Sequence, residues 1–257
     1  MSDFYVGYLP KAPAALANFL GKLVFAFLGL TAAIAPLLVL HQHRFANSYF
    51  EFGNVRAFEG IAAMQPYPAL LALRPGQTTP GNTYSQYLLV APGKHGAQEL
   101  MQGFEGKQVH LRGQLIYREG GTMIEVVPGS VTALSAAPAQ PEATRDLGPV
   151  TATGEIVDSK CFLGVMNPGQ GKVHRDCAAR CLSGGIPPVF VARKIEPEGL
   201  QSSGSQFLLV GSDGAALGKD VLREFVAEPI TVNAELFQWG DARLLRIDPS
   251  MLRHGTR

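Results

Sequence analysis

Hydrophobic residues form one long uninterrupted run near the start of the chain. From Leu23 to Leu40 there are 18 consecutive uncharged residues. As a helix they would extend roughly 27 Å, close to the roughly 30 Å thickness of a bilayer's hydrocarbon core. The pattern predicts a transmembrane anchor over residues 23–44, and we expect the segment 1–22 before it to lie in the cytoplasm.

A cleaved signal peptide is the alternative interpretation of this run. The triplet Ala33-Ile34-Ala35 resembles a cleavage site, but it lies inside the apolar run and Pro36 follows it directly. The 22 residues ahead of the run are also long for the basic segment that opens a signal peptide. We therefore favour a retained single-pass anchor, with the rest of the chain outside the cytoplasm.

The remainder of the chain contains an internal repeat. The segment SQYLLV (85–90) matches SQFLLV (205–210), and the pattern of residues 106–126 matches that of 227–247. In each copy, alternating apolar and polar residues run into a short glycine-containing turn and then alternate again. This pattern is typical of strands joined by a hairpin turn.

The order of elements in each copy predicts the fold class. Three strands, a short helical stretch (96–104 and 218–226) and two further strands are the order of an OB-fold, a small Greek-key barrel. The sequence therefore predicts a mainly β fold with two OB-like domains, 50–132 and 150–252. An Ala- and Pro-rich linker, 133–149, separates them and argues against the alternative of a single β-sandwich.

The second copy contains an insertion that the first lacks. In the first copy a brief connection joins the first strand (55–62) to the second (68–73). In the second copy the corresponding strands are separated by about thirty residues, the inserted loop 158–186, which holds all three cysteines. Because OB-folds commonly bind ligands through the loop between these strands, we expect the second copy to carry the chemistry.

The inserted loop has the composition of a metal site. Its candidate ligands are Cys161, His174, Cys177 and Cys181, spaced C-x12-H-x2-C-x3-C. On a helix beginning near Lys172, intervals of three and four residues place the last three on one face. Three thiolates and one imidazole form a complete tetrahedral set for zinc, and such ligands also suit copper or iron.

Two other interpretations of the cysteines remain open. Cys161 could form a disulfide with Cys177 or Cys181, which would leave one free thiol. Alternatively, Cys177 and Cys181 could be reactive, because a helix N-terminus favours the thiolate. Asp158 and Arg175 are candidates for groups that support the site from outside the ligand set.

Charge and motifs exclude several function classes. With 22 Lys and Arg against 21 Asp and Glu, the formal net charge is +1 and no basic run is present, so we expect no nucleic-acid partner. The sequence contains no nucleophile elbow, phosphate-binding loop or dinucleotide fingerprint. We therefore expect neither catalytic residues nor an organic cofactor.

The residues of the inserted loop resemble a known motif. The pattern from Gly154 through Asp158 and the three cysteines to Pro187 resembles one found in exported bacterial proteins with small β-barrel domains. The resemblance implies a location in the bacterial envelope. With the favoured orientation of the anchor, we expect a single pass through the inner membrane and barrels in the periplasm. The C-x3-C spacing is also similar to that of envelope copper proteins of cytochrome oxidase assembly, although here the histidine precedes the cysteine pair.

Together these features lead to a functional expectation. We expect a non-catalytic accessory or assembly subunit of a membrane redox or respiratory complex, whose partners are the bilayer and the subunits of that complex. One alternative is a thiol-redox enzyme or copper chaperone that uses Cys177 and Cys181. Another is an OB module that binds an envelope polymer.

Overall fold

The structure is a computed structural model that describes residues 12–42, 48–74, 84–118, 120–134, 144–197, 205–218 and 221–254. The chain divides into two compact units, residues 1–46 and residues 47–257. Each unit is described by itself below.

The first unit contains one long apolar helix, α1 (Ala14–Gln42), with Pro36 inside it. Within Ala14–Leu40, an 18-residue stretch has a mean hydropathy of 2.5, and none of its residues is buried. The helix is long and apolar enough to cross a membrane, either as an anchor or as a signal sequence. It begins earlier than the predicted anchor, and the end of that anchor, residues 43 and 44, lies outside the described residues.

The first repeat folds into a closed five-stranded barrel, which we call barrel one. Its strands and their short neighbours are β1 (Ser48–Phe50), β2 (Arg56–Ala63), β3 (Ala69–Leu73), β4 (Tyr84–Ala91), β5 (His95–Gly96), β6 (Gln108–Arg118), β7 (Gly121–Val126) and β8 (Thr132–Ala133). The barrel closes in the order β2-β3-β4-β7-β6-β2, and β4 pairs with β7 in parallel.

The second repeat forms barrel two with the same order of strands. It comprises β9 (Arg145–Asp158), β10 (Pro188–Glu196), β11 (Gln206–Val210), β12 (Ile230–Trp239), β13 (Ala242–Arg246) and the short β14 (Arg253–His254). The closed circuit is β9-β10-β11-β13-β12-β9, again with one parallel pair, β11 with β13. The predicted mainly β fold with two small barrels is confirmed.

Two local expectations differ from the structure. The described residues of the predicted helical stretches 96–104 and 218–226 form successive turns rather than helices. In the first stretch the turn ends at Gly103, whose positive φ of 83° interrupts a right-handed helix. The end of the linker 133–149 is also ordered, because β9 begins at Arg145 and pairs with β12 from there onward.

Among the described residues, buried apolar side chains form three clusters: one inside each barrel and one between the barrels. Neighbouring residues of the same strand belong to different clusters: Phe190 lies in the core of barrel two, whereas Val189 lies in the inter-barrel cluster. In barrel one, Leu70 and Leu71 divide in the same way. Since successive side chains of a strand point to opposite faces, these strands are buried on both faces.

The interface between the barrels has approximate two-fold symmetry. The backbone N–H of Gln86 in barrel one donates to Asp241 Oδ1 (2.9 Å) in the β12–β13 hairpin of barrel two. Reciprocally, Gln206 of barrel two lies against the β6–β7 hairpin of barrel one, where a Cβ on Gly121 would lie 2.6 Å from its Nε2. Each repeat thus places its Ser-Gln segment on the hairpin of the other, as in an isologous dimer.

A buried ion pair also crosses the interface. Lys160 is 3% exposed and its Nζ lies 2.5 Å from Glu125 Oε2 on β7 of barrel one. The same ammonium donates to the carbonyl oxygens of Ala91 (2.9 Å) and Gly93 (2.7 Å). All three N–H bonds of the ammonium therefore have an acceptor in barrel one, which compensates for its removal from water.

We predict that Lys160→Met destabilises the protein by about 3–5 kcal/mol, because the substitution leaves the Glu125 carboxylate buried without its partner. Urea unfolding of the detergent-solubilised chain, followed by tryptophan fluorescence, measures the change. Lys107→Met, at an exposed lysine of barrel one, serves as the control. The double variant Lys160→Met/Glu125→Gln should recover part of the loss, and equal stability of Lys160→Met and the control would contradict the prediction.

Candidate metal centre

The inserted loop begins where β9 ends, at Asp158. A single π-type turn, Cys161–Val165, follows, and later a 3₁₀ turn, Lys172–His174, leads into α2 (Arg175–Ser183). The Asp158 carboxylate accepts a hydrogen bond from the Cys161 amide N–H (2.8 Å) through Oδ1. This contact satisfies a backbone N–H at the start of the π-type turn and places Cys161 directly beyond the strand.

The three cysteines meet in one cluster. All are free thiols, and their sulfur atoms lie within 4.8 Å of one another, with Cys161 Sγ and Cys181 Sγ 4.0 Å apart. A tetrahedral zinc ion with Zn–S bonds of about 2.3 Å would hold two sulfurs roughly 3.8 Å apart. The spacing therefore fits a metal ion bound by thiolates.

His174 belongs to a second, overlapping group. It is grouped with Asp158 and Cys161, and among the described residues Cys161 is common to this group and the thiol cluster. Its Nε2–H donates to Asp158 Oδ2 (2.9 Å), and both side chains are almost fully buried. A carboxylate in contact with one ring nitrogen is the arrangement that orients metal-binding histidines.

Together, the three clustered cysteines with His174 and Asp158 can bind a metal ion. Cys161 and Cys181 are 4% and 1% exposed, so two of the three thiols lie in the protein interior. Cys177, in the first turn of α2, is only partly buried.

A lysine of barrel one reaches the thiol cluster from the other side of the interface. Lys94 Nζ lies 2.8 Å from Cys177 Sγ and 3.6 Å from Cys181 Sγ. The side chain comes from the turn between β4 and β5, 83 residues before Cys177 in the chain. The cluster therefore receives a positive charge from the repeat that lacks the inserted loop.

The backbone around Lys94 is fixed by contacts with the inserted loop. Lys160 binds the carbonyls of Ala91 and Gly93, on the N-terminal side of Lys94. On the other side, the Gly96 N–H donates to the Gly184 carbonyl (3.0 Å). A Cβ on Gly184 would lie 1.7 Å from the Lys94 carbonyl oxygen, so this close approach requires glycine.

These contacts shift the ionisation of the cluster. The hydrogen bond from the Cys161 thiol lowers the pKa of Cys181, and the Lys94 charge lowers it further. The same hydrogen bond raises the pKa of Cys161, together with burial and the nearby Asp158 carboxylate. The hydrogen bond to Cys177 raises the pKa of Lys94, so the lysine stays charged.

Not every residue expected at the site contributes to it. Arg175, a candidate supporting group, instead pairs with Glu228 (2.8 Å). Lys94 and Lys160 were not predicted, and no spacing or repeat pattern in the sequence indicates them, since their partners are brought together by the contact between barrels.

Neither a protein-family model nor a curated protein matches this chain.

We predict that iodoacetamide modifies Cys177 first in the native, reduced and metal-free protein, because it is the least buried thiol of the cluster. Cys161 and Cys181 should react at a comparable rate only when the protein is unfolded in denaturant. Peptide mass spectrometry of samples taken over time measures the order. Equal labelling of Cys161 and Cys177 in the native protein would contradict the geometry described above.

Proposed function

We propose that this protein is a membrane-anchored metal-binding protein of the bacterial envelope that acts as an accessory or assembly subunit of a membrane redox complex. The observation that carries the proposal is the cluster of three free thiols beside a buried His174–Asp158 pair. In this proposal α1 is a retained anchor in the inner membrane and both barrels lie in the periplasm.

Each residue of the cluster has a distinct role in the proposal. Cys161, Cys177 and Cys181 supply thiolates to the metal, and His174 supplies the fourth ligand. Asp158 orients the imidazole through its contact with Nε2. The ion, which we propose to be zinc, joins the π-type turn to α2 and thereby braces the inserted loop.

The presence of three sulfur atoms in one cluster favours a bound metal over a disulfide as its usual state. Cys161 Sγ and Cys181 Sγ are 4.0 Å apart, and the third sulfur lies within 4.8 Å of both. A metal ion uses all three sulfurs at their present spacing. A disulfide would leave Cys177 unpaired beside Lys94.

The packing of the barrels argues against the polymer-binding alternative. OB-folds bind polymers on the face of their second and third strands. Here the outward residues of those strands, such as Leu71 in barrel one and Leu208 in barrel two, are buried in the inter-barrel cluster. The surface that such a polymer would need is thus covered by the other barrel.

The second candidate function is thiol-redox chemistry or copper transfer at Cys177 and Cys181. The specific observation that favours it is the ammonium of Lys94, which lies within 4 Å of both sulfurs. A positive charge next to a partly exposed thiol promotes the nucleophilic thiolate. Copper transfer uses the same ligands as the leading proposal, with an ion that must leave again.

We predict that the full chain, purified in detergent under reducing conditions, contains about one zinc ion per molecule by elemental analysis. Cys161→Ser, Cys177→Ser and Cys181→Ser should each lose most of it, because each removes one thiolate from the ion. His174→Ala should weaken binding by a factor of at least about 10–100, the range expected even for loss of a group outside the ligand set.

Val173→Ser is the matched control for this measurement, because Val173 lies in the same loop and its side chain is 87% exposed. It should bind zinc like the unmodified protein. Copper in place of zinc would support the transfer candidate. Metal-free protein under these conditions would overturn the metal proposal, as would a Cys161–Cys181 disulfide with one titratable thiol in protein purified without reductant.

We also predict that the tagged chain, extracted from native membranes with a mild detergent, co-purifies with integral membrane subunits that carry a redox cofactor. Size-exclusion chromatography with reduced-minus-oxidised absorbance spectra measures this, since haem, flavin and iron–sulfur centres absorb visibly. A fusion of residues 1–46 to an unrelated soluble protein is the control for contacts made by the helix alone. Elution as a cofactor-free monomer would contradict the accessory role.

A further inference from the structure

The thiol cluster has one side that faces solvent. Cys161 and Cys181 are almost fully buried, so Cys177 is the thiol through which the cluster meets solvent. The Lys94 ammonium lies 2.8 Å from that sulfur, and Lys94 itself is exposed. A metal ion that reaches Cys177 from solvent therefore meets the charge of Lys94.

The position of Lys94 is built into the fold rather than left to a flexible surface chain. Its turn is held from one side by the buried Lys160 ammonium and from the other by Gly184, immediately after α2. Both contacts come from the inserted loop that carries the cysteines. The backbone is thus fixed relative to the thiols, while the long Lys94 side chain can move aside when a metal binds.

We propose that Lys94 selects the form in which the site receives its metal, favouring an anionic metal complex over a hydrated cation. This inference rests on the proposed metal function and deepens it. An ammonium at the mouth of the cluster repels an approaching divalent cation and attracts a complex with net negative charge. The anionic complex delivers the metal: each thiol gives up its proton to water and, as a thiolate, replaces one ligand of the complex, which leaves to solvent, and Lys94 is displaced from Cys177 Sγ.

The proposal identifies the donor by its chemistry. It is an anionic complex in which carboxylate or thiolate ligands outweigh the charge of the ion. Such a donor and the thiolates of the site are both negatively charged and repel each other. The nearby Lys94 ammonium reduces this repulsion. Lys94 is therefore a specificity-determining residue supplied by barrel one to a site whose ligands all come from barrel two.

The test compares two zinc sources of opposite charge on the reduced, metal-free full chain in detergent. One is hydrated Zn²⁺, and the other is its nitrilotriacetate complex, which carries a single negative charge. Stopped-flow absorbance of the zinc–thiolate bonds gives the loading rate from each source. The compared quantity is the ratio of the rate from the anionic complex to the rate from the cation.

We expect Lys94→Met to lower this ratio about tenfold, since one nearby charge changes the approach of both sources in opposite directions. Lys94→Arg keeps the charge and should retain the ratio, and Lys107→Met, at an exposed lysine away from the cluster, should leave it unchanged. Raising the salt concentration should reduce the difference between the unmodified protein and Lys94→Met, because salt screens the interaction.

Two outcomes separate this inference from the proposed function. If Lys94→Met binds one zinc ion with an unchanged ratio, the selection by Lys94 is overturned while the metal site stands. If the unmodified protein binds no zinc from either source, the proposed zinc function is overturned and this inference with it. A Lys94→Arg variant that behaves like Lys94→Met would also overturn selection by charge.

Discussion

Burial of apolar surface between the two barrels is the constraint on which the site depends. Strands such as β10 and β11 bury one face in their own barrel and the other against its neighbour. Burial contributes about 25 cal/mol per Å² of apolar surface removed from water, and it holds the barrels at one relative position. That position brings the Lys94 turn onto α2 and the Lys160 ammonium onto Glu125.

The polar contacts across the interface then fix the relative position of the two barrels more precisely than apolar packing alone. Buried charges are tolerated only when their hydrogen bonds are complete, and Lys160 meets this condition with one carboxylate and two carbonyls. In the inserted loop, the buried Asp158 carboxylate also has partners: it accepts hydrogen bonds from the Cys161 backbone N–H and from the His174 ring. The geometry of the thiols is therefore set by groups that are not themselves thiols.

The two repeats share a fold but have diverged in their roles. The connection between the first two strands is short in barrel one and carries the cysteines in barrel two. Barrel one is nevertheless more than a support, because it contributes the charge beside Cys177. The candidate ligands all lie in the second copy, and the first copy adds a lysine that contacts the same cluster.

The sequence by itself determined what local pattern controls: the apolar helix, the strand order of each repeat and the concentration of Cys161, His174, Cys177 and Cys181 in one insertion. Alternation, turn residues and helical spacing are read over a few neighbouring residues, so they can be recognised without the fold. Only the tertiary structure decided that His174 faces Asp158, that Lys94 contacts the thiols and that Lys160 holds the turn on which Lys94 lies. These contacts join residues 16 to 83 positions apart. The His174–Asp158 contact depends on how the inserted loop folds back on itself, and the lysine contacts depend on how the two barrels pack, which no short-range pattern records.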